Sequence, residues 1–252
     1  MDITLIIPCY NEEANLQKGV LDKIGNYTKD HWSFGEVIIV DDGSPDGSVS
    51  IIEDKYKKKF PKFRLIKNEH HGKAFAIMTG IEKAGCDYVM FSDMDLATPI
   101  EESVKLINEI EKGYDVVIGS RNTTREGAPF SRKLLALGFI WTRNLLMGLR
   151  GIKDTQCGFK IFRTDAARHI IDNLRVFKEI HKIKAPSVTA GFDLEFLFLA
   201  KKYKYKIKEV PVIWRHVETK RVTFIRDSVE TLRDIIKIKL SDLSHAYDKT
   251  KK

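Results

Sequence analysis

Two carboxylates one residue apart, Asp93 and Asp95, follow the apolar run Tyr88-Val89-Met90-Phe91. On a turn that closes a strand, such a pair can direct its oxygens at one point. Hard divalent cations take oxygen ligands, and magnesium commonly accepts one or two carboxylates together with phosphate oxygens and water. A cation held there would neutralise charge on a departing diphosphate. An isolated Asp-x-Asp is also ordinary turn chemistry, and only its placement after a buried strand favours the metal reading. Asp41-Asp42 closes a second apolar run, Val37-Ile38-Ile39-Val40. Carboxylates there can accept from a base N–H or a ribose hydroxyl, while Asp42-Gly43 and Ser44-Pro45 equally suit a turn. Lys73 follows Gly72 at an expected helix start, where it suits a phosphate or a base carbonyl. Arg121, Arg125 and Arg132 flank a polar stretch containing Gly127 and Pro129. Arginine reads phosphate bidentately, so the three either serve a second anionic substrate or are solvated loop charge.

The elements that must position these residues alternate. Strands are expected at Ile3 to Ile7, Val37 to Val40, Phe63 to Ile66, Tyr88 to Phe91 and Val116 to Ile118. Helices are expected from about Glu12 to Ile24, Gly47 to Lys58, Lys73 to Ala84 and after Pro99. Strands alternating with helices argue for a mostly parallel sheet covered on both faces. Polar clusters lie just beyond the strand ends: Pro8 to Glu12, Asp41 to Ser44, and Asp93 to Asp95. That edge is where open α/β sheets bind ligands, so the three clusters outline one pocket. After residue 120 come a polar loop, an apolar helix from Leu134 to Leu149 broken by Thr142-Arg143-Asn144, two Gly-flanked segments and a helix near Leu194 to Tyr203. An alternating strand, Lys206 to Trp214, and a helix from about Phe224 to Leu243 complete the pattern.

Length and charge fit this outline. The chain has 252 residues, enough for one large α/β domain. Lys and Arg number 43 against 35 Asp and Glu, a net charge of +8, and residues 121–153 hold seven of the cations and one acid. Such a patch suits phosphates or anionic membrane. Nucleic acid is disfavoured because no recognition motif or aromatic–basic interleaving occurs. Cys9, Cys86 and Cys157 lie far apart and read as free thiols of a reducing compartment. No signal-peptide pattern and no run of 18 apolar residues is present. The expectation is a protein that is cytoplasmic and peripheral to a membrane.

The ordered motifs resemble family 2 glycosyltransferases of the GT-A fold, and within them the dolichyl- or polyprenyl-phosphate hexosyltransferases. The carriers are Ile7-Pro8-Cys9-Tyr10-Asn11-Glu12, Val40 to Gly47, Gly72-Lys73-Ala74, Asp93-Met94-Asp95-Leu96, Gly119-Ser120-Arg121, Asp154 to Lys160, and Phe192-Asp193-Leu194-Glu195. They span nearly the whole chain. The resemblance implies a Rossmann-like, mostly parallel sheet with helices on both faces and C-terminal amphipathic helices. It implies that Pro8, Tyr10, Glu12, Val40, Asp41 and Asp42 line a nucleoside pocket, with Lys73 near the nucleotide. It implies that Asp93 and Asp95 hold Mg²⁺ or Mn²⁺ and the diphosphate, that Arg121 and Arg132 meet a lipid phosphate, and that Lys220 lies in a stretch closing over the donor. Mannosyl members typically carry Gln two residues after the second Asp, where this chain has Ala97 followed by Thr98. That departure leans toward the dolichyl-phosphate glucosyltransferases and UDP-glucose.

The expected reaction is an inverting displacement that moves a hexose onto a polyprenyl phosphate. An ionised phosphate acceptor needs no strong base, so the protein's work is positioning and charge stabilisation. Asp193 and Glu195 are the candidates for holding sugar hydroxyls or assisting the acceptor, or else helix N-terminal acids. GDP-mannose as donor, a polysaccharide acceptor and a nucleotide-binding scaffold are the alternatives. One domain is expected over 1–222, with an acceptor loop and interface helix at 122–150, then an amphipathic helix and basic tail at 223–252. Basic flanks around the 134–149 helix suit a membrane interface. Ile225, Val229, Leu232, Ile236, Leu240 and Leu243 recur at helical spacing, which fits the chain's own domain, a membrane, a membrane-protein partner or a second copy.

Overall fold

Apolar runs that read as strands in the sequence pair into one sheet in the computed structural model, which describes residues 1–121, 138, 142–177, 190–215 and 224–248, with the backbone alone at 190 and 224–230. The strands are β1 (Ile3–Cys9), β2 (Phe34–Asp41), β3 (Phe63–Lys67), β4 (Tyr88–Phe91), β5 (Val116–Arg121), β6 (Lys160–Arg163) and β7 (Ile207–Val212), in the order β3-β2-β1-β4-β6-β5-β7. All run the same way except β6, which pairs antiparallel with both β4 and β5. The mostly parallel expectation holds. The reversed strand was hidden in one of the two Gly-flanked segments, because four residues containing Lys160 and Arg163 lack a run that stands out.

Helices cover both faces. On one side lie α1 (Glu13–Gln17), α2 (Val20–Asp30), α3 (Ser48–Ile51), a π turn leading into α4 (Lys57–Lys59), and α6 (Ser103–Glu111). On the other lie α5 (Lys73–Lys83), α7 (Thr164–Asn173), α8 (Ala190–Lys202) and α9 (Phe224–Leu243). Successive strand side chains alternate between the layers, as the pleat requires. Leu5 and Ile7 pack in one core with Leu16 and Ile24, whereas Ile6 packs in the other with Ile77 and Ile81. Burial on both faces explains why β1 and β2 read as continuous apolar runs.

Two helix boundaries differ from the sequence reading. The helix expected over 12–24 breaks at Gly19, whose φ of 76° lies in the left-handed region that glycine enters freely. Helix α7 went unread, although Ala166, Ala167, Ile170 and Ile171 bury one face. The last helix, α9, packs on α8 through Ile235 and Ile238. No helix among the described residues is long and apolar enough to cross a membrane.

The approach of α5 to β1 places Lys73 at the sheet edge. At Gly80 an added Cβ would collide with the Ile6 side chain. Alanine in a helix interior normally gains about 1 kcal/mol over glycine, and overpacking a filled core costs about 1–3 kcal/mol. Gly80→Ala is therefore expected to lower the urea midpoint without changing the slope. A raised midpoint would show that the contact relaxes without cost.

Candidate active site

The carboxyl ends of β1, β2 and β4 open into three loops, of which the first two are stitched together by main-chain donors. Asn11 N–H donates to Ser44 Oγ at 3.0 Å, and Glu12 N–H to Ser48 Oγ at 3.0 Å. Asn11 and Leu96 have φ of 55° and 49°. A branched residue such as Leu96 is costly there, and such strain gathers at functional turns.

Asp41 and Asp42 do different jobs. Asp42 Oδ1 accepts from His71 N–H at 3.0 Å, and its Oδ2 accepts from Gly72 N–H at 2.7 Å and lies 2.7 Å from His70 Nδ1. Those contacts commit the carboxylate to the 70–72 loop, and Gly72, with φ of 101°, starts α5. His70 stacks on Tyr10 with ring centres 4.0 Å apart. Asp41 Oδ2 closes its own turn by accepting from Gly43 and Ser44 N–H, each at 3.1 Å. Asp41 Oδ1 is buried without a hydrogen-bond partner, an unsatisfied acceptor at the strand end. Val40 is fully buried in the core, and its side chain is closed to any ligand. Pro8, Tyr10 and Glu12 are partly exposed along the same edge.

Asp93 and Asp95 follow β4 on a turn whose middle residue, Met94, is buried. Asp95 Oδ1 accepts from Ala97 N–H at 2.9 Å, and Ala97 O accepts from Arg215 N–H at 2.7 Å. Lys73 Nζ bonds Asp93 Oδ1. Burial raises the Asp95 carboxyl above its ordinary range, and nearby Asp93 adds to the rise. Glu12 is raised likewise, by burial and then by Asp95, Asp93 and Asp46. Burial opposes charge on Lys73, but Asp93, Asp193 and Asp95 hold its pKa above the ordinary lysine value. An all-oxygen donor set crowded with negative charge fits a hard divalent cation. Space is also reserved: a Cβ at Gly158 would strike the Asp93 carboxylate.

Beside the two aspartates lies a pocket lined by Ser92, Asp93, Ala97, Thr98, Arg121, Gln156, Gly158, Phe159 and Trp214. Arg121 forks onto Asp154, with Nε 2.6 Å from Oδ2 and NH2 2.9 Å from Oδ1. Its guanidinium carbon is 5.8 Å from the centre of the Trp214 ring. Asp154 is fixed in turn: Glu209 Oε1 accepts from Asp154 N–H at 2.7 Å. The buried Arg143 holds the same loop by donating to Ile152 O at 2.9 Å and Thr155 Oγ1 at 3.1 Å.

Asp193, at the start of α8, pairs with the fully buried Lys160 at 2.5 Å. Glu195 differs from the expectation of a sugar or acceptor contact. It is fully buried and its Oε1 accepts from Tyr247 OH, Arg175 N–H and Val176 N–H at 2.7, 2.8 and 3.1 Å. Two residues along a helix from Asp193, it turns inward while Asp193 faces the site. Arg125, Arg132 and Lys220 lie outside the described residues, as do residues 134–137 and 139–141 of the expected 134–149 helix; residues 142–147 are helical without a break at Thr142-Arg143-Asn144, and Arg143 is buried instead of flanking a membrane face. Sequence reasoning passed over His70, Asp154 as the Arg121 partner, and Lys160. A lysine within the apolar run Phe159-Lys160-Ile161-Phe162 was the available signal for Lys160, since buried charges are paired.

The family model described as "Glycosyl transferase family 2" matches residues 4–171. The chain is 31% identical to the dolichyl-phosphate beta-glucosyltransferase of Saccharomyces cerevisiae, over 99% of this chain and 78% of that protein. It is 30% identical to the Homo sapiens protein of that name, over 97% and 77%. A solved structure of glucosyl-3-phosphoglycerate synthase from Mycobacterium tuberculosis, in complex with Mn²⁺, UDP and phosphoglyceric acid, aligns with a TM-score of 0.66. It covers 94% of this chain and 78% of that one at 16% identity, a likeness of fold.

The Arg121–Asp154 pair predicts a pH-dependent stability. Burial works against the Asp154 charge, but Arg121 more than offsets it and holds the carboxyl below its ordinary value. A folded pKa below the unfolded one, about 3.9, adds stability above the unfolded value that is lost as pH falls through the folded one. Asp154→Asn is expected to be about 1–3 kcal/mol less stable near neutral pH. The gap to the parent should close in acid denaturation series. A gap that stays constant into strong acid would rule out the ion pair as its cause.

Proposed function

The chain belongs to glycosyl transferase family 2 and is a glycosyltransferase, and from that premise we propose that it moves glucose from UDP-glucose onto the phosphate of a dolichyl-type polyprenyl phosphate, inverting the anomeric carbon. One observation carries the reading. A carboxylate pair sits on a strained turn, and one of the two, Asp93, lines a pocket together with a clamped arginine and a tryptophan. That geometry can hold two anions on either side of a sugar. The names of the relatives support glucose and the lipid acceptor, and the neighbour's bound Mn²⁺ and UDP support a metal-assisted donor.

In this reading Asp41 Oδ1 accepts from the base or ribose, and Tyr10, stacked on His70, forms a wall of the nucleoside pocket. Asp93 and Asp95 hold Mg²⁺ or Mn²⁺, which when bound supplies positive charge to the diphosphate. Lys73 exchanges Asp93 for a donor phosphate oxygen and stabilises the charge that develops on the leaving group. Arg121 keeps its fork on Asp154 and, with Arg132, turns its remaining N–H groups to the acceptor phosphate, while Lys220 serves the donor diphosphate. Asp193, set by Lys160, accepts from sugar hydroxyls. The acceptor is ionised near neutral pH, so the residues align it rather than deprotonate it. The proposed setting is the cytoplasmic face of a membrane.

Incubation with labelled UDP-glucose, polyprenyl phosphate and Mg²⁺ or Mn²⁺ is expected to yield lipid-extractable label, and labelled GDP-mannose is not. Label from neither donor overturns lipid transfer; label from GDP-mannose alone overturns the choice of sugar. Asp95→Asn is expected to lower turnover by about 10²-fold or more while leaving the thermal midpoint near that of the parent. Full metal-dependent turnover in that variant would remove Asp95 from the metal site.

A further inference from the structure

Helix α9 has two apolar faces. Ile235 and Ile238 are buried against α8 and the core. The stripe read from the sequence faces the other way: Leu232, Ile236, Leu240 and Leu243 are 44%, 51%, 60% and 72% exposed. Their spacing of four, four and three places them on one line, roughly 16 Å long at 1.5 Å per residue. By the same spacing, the exposed Arg233 and Lys237 border one edge of the line. Lys239, shared with Asp242 at 3.0 Å, borders the other.

The stripe also has a defined place relative to the site. Asp234 abuts Gly191, Lys239 Nζ lies 5.4 Å from the Phe198 ring centre, and Lys202 Nζ lies 2.8 Å from Asp242. Helix α9 therefore runs parallel to α8. Its earlier turns stand at the end of α8 that carries Asp193, the edge of the sheet where the pocket opens.

We propose that this outward face of α9 lies on an anionic lipid surface, with the four aliphatic side chains in the headgroup–acyl boundary and Arg233 and Lys237 among the lipid phosphates. An apolar line with basic borders on a helix too polar to span is the composition that binds in the plane of an interface. A second copy fits less well. Four half-exposed aliphatic side chains offer roughly 400 Å², about half of the ~800 Å² per partner of a standard interface. Self-pairing would also bring the basic borders of two chains of net charge +8 together.

The purpose of this contact rests on the proposed lipid acceptor, but vesicle binding without donor or acceptor tests it separately. The full chain is expected to float with phosphatidylcholine vesicles containing phosphatidylserine and less with pure phosphatidylcholine. The double variant Ile236→Glu, Leu240→Glu, which alters only exposed positions of the helix, should reduce the bound fraction by about tenfold or more with an unchanged thermal midpoint. Failure of the parent chain to float, or equal flotation of the variant, overturns the inference. So does a dimer in lipid-free buffer that the variant converts to monomer, which would assign the stripe to a second copy. Failure of labelled transfer to polyprenyl phosphate in detergent would overturn the proposed function and leave the flotation result standing.

Discussion

Negative charge gathered at one sheet edge is the constraint on which the rest of the site depends. Burial disfavours the charged forms of Glu12 and Asp95, and the neighbouring charge of Asp93 adds to the rise at both. Asp193 adds its field to Lys73. A buried cluster of this kind persists only with matching cations. Lys73 answers Asp93 and Lys160 answers Asp193, each from a different element. The start of α5 and the reversed strand β6 are thus where they must be to supply those two lysines. A diphosphate with its divalent cation brings both signs of charge, and can exchange for existing ion pairs instead of entering an empty apolar cavity.

Around this centre, many polar residues act on the site through other residues. Asp42 fixes the 70–72 loop, which sets both the His70 ring under Tyr10 and the first turn of α5. Arg143 and Glu209 fix the 152–155 loop, which sets Asp154, which in turn sets Arg121. A planar guanidinium held by two parallel bonds loses little further entropy when it meets an anion. These braces put positional precision into loops that have no regular structure of their own.

How much of this was legible in the sequence depends on the kind of signal. Continuous apolar runs closed by Asp41-Asp42 and Asp93-Met94-Asp95 exposed the sheet and its binding edge, because a parallel strand buried on both faces has few other spellings. The split of labour between Asp41 and Asp42 was not legible. Adjacent strand-end carboxylates look alike until the loop that claims one of them, thirty residues onward, is placed. Glu195 and Asp193 posed the same difficulty, since two residues on a helix face different ways and only packing says which turns inward. Strand β6 escaped because Lys160 and Arg163 leave only two apolar residues in its four, whereas β4, equally short, is apolar throughout. The 3.6-residue periodicity of α9 was correctly read as a helix, but a period cannot distinguish the buried face from the exposed one when both are apolar.

Glu195 shows why the end of the chain belongs to the argument about the site. A fully buried carboxylate is tolerable only when donors surround it, and here one oxygen collects three. Two come from the main chain after α7 and one from Tyr247, beyond α9. Burial, followed by the charge of Glu195, raises the Tyr247 phenol above its ordinary range, so it stays a donor at any physiological pH. Its other oxygen, Oε2, is buried without a partner, so loss of one donor to Oε1 would deepen an existing deficit, at a cost of about 1–3 kcal/mol. The hydroxyl therefore joins three segments at the middle of α8. The same helix presents Asp193 to Lys160 two residues earlier, and a rotation of α8 about its axis would swing Asp193 away from Lys160 as it dragged Glu195 from its donors. The residues after α9 thus hold the rotational setting of the helix on which Asp193 stands.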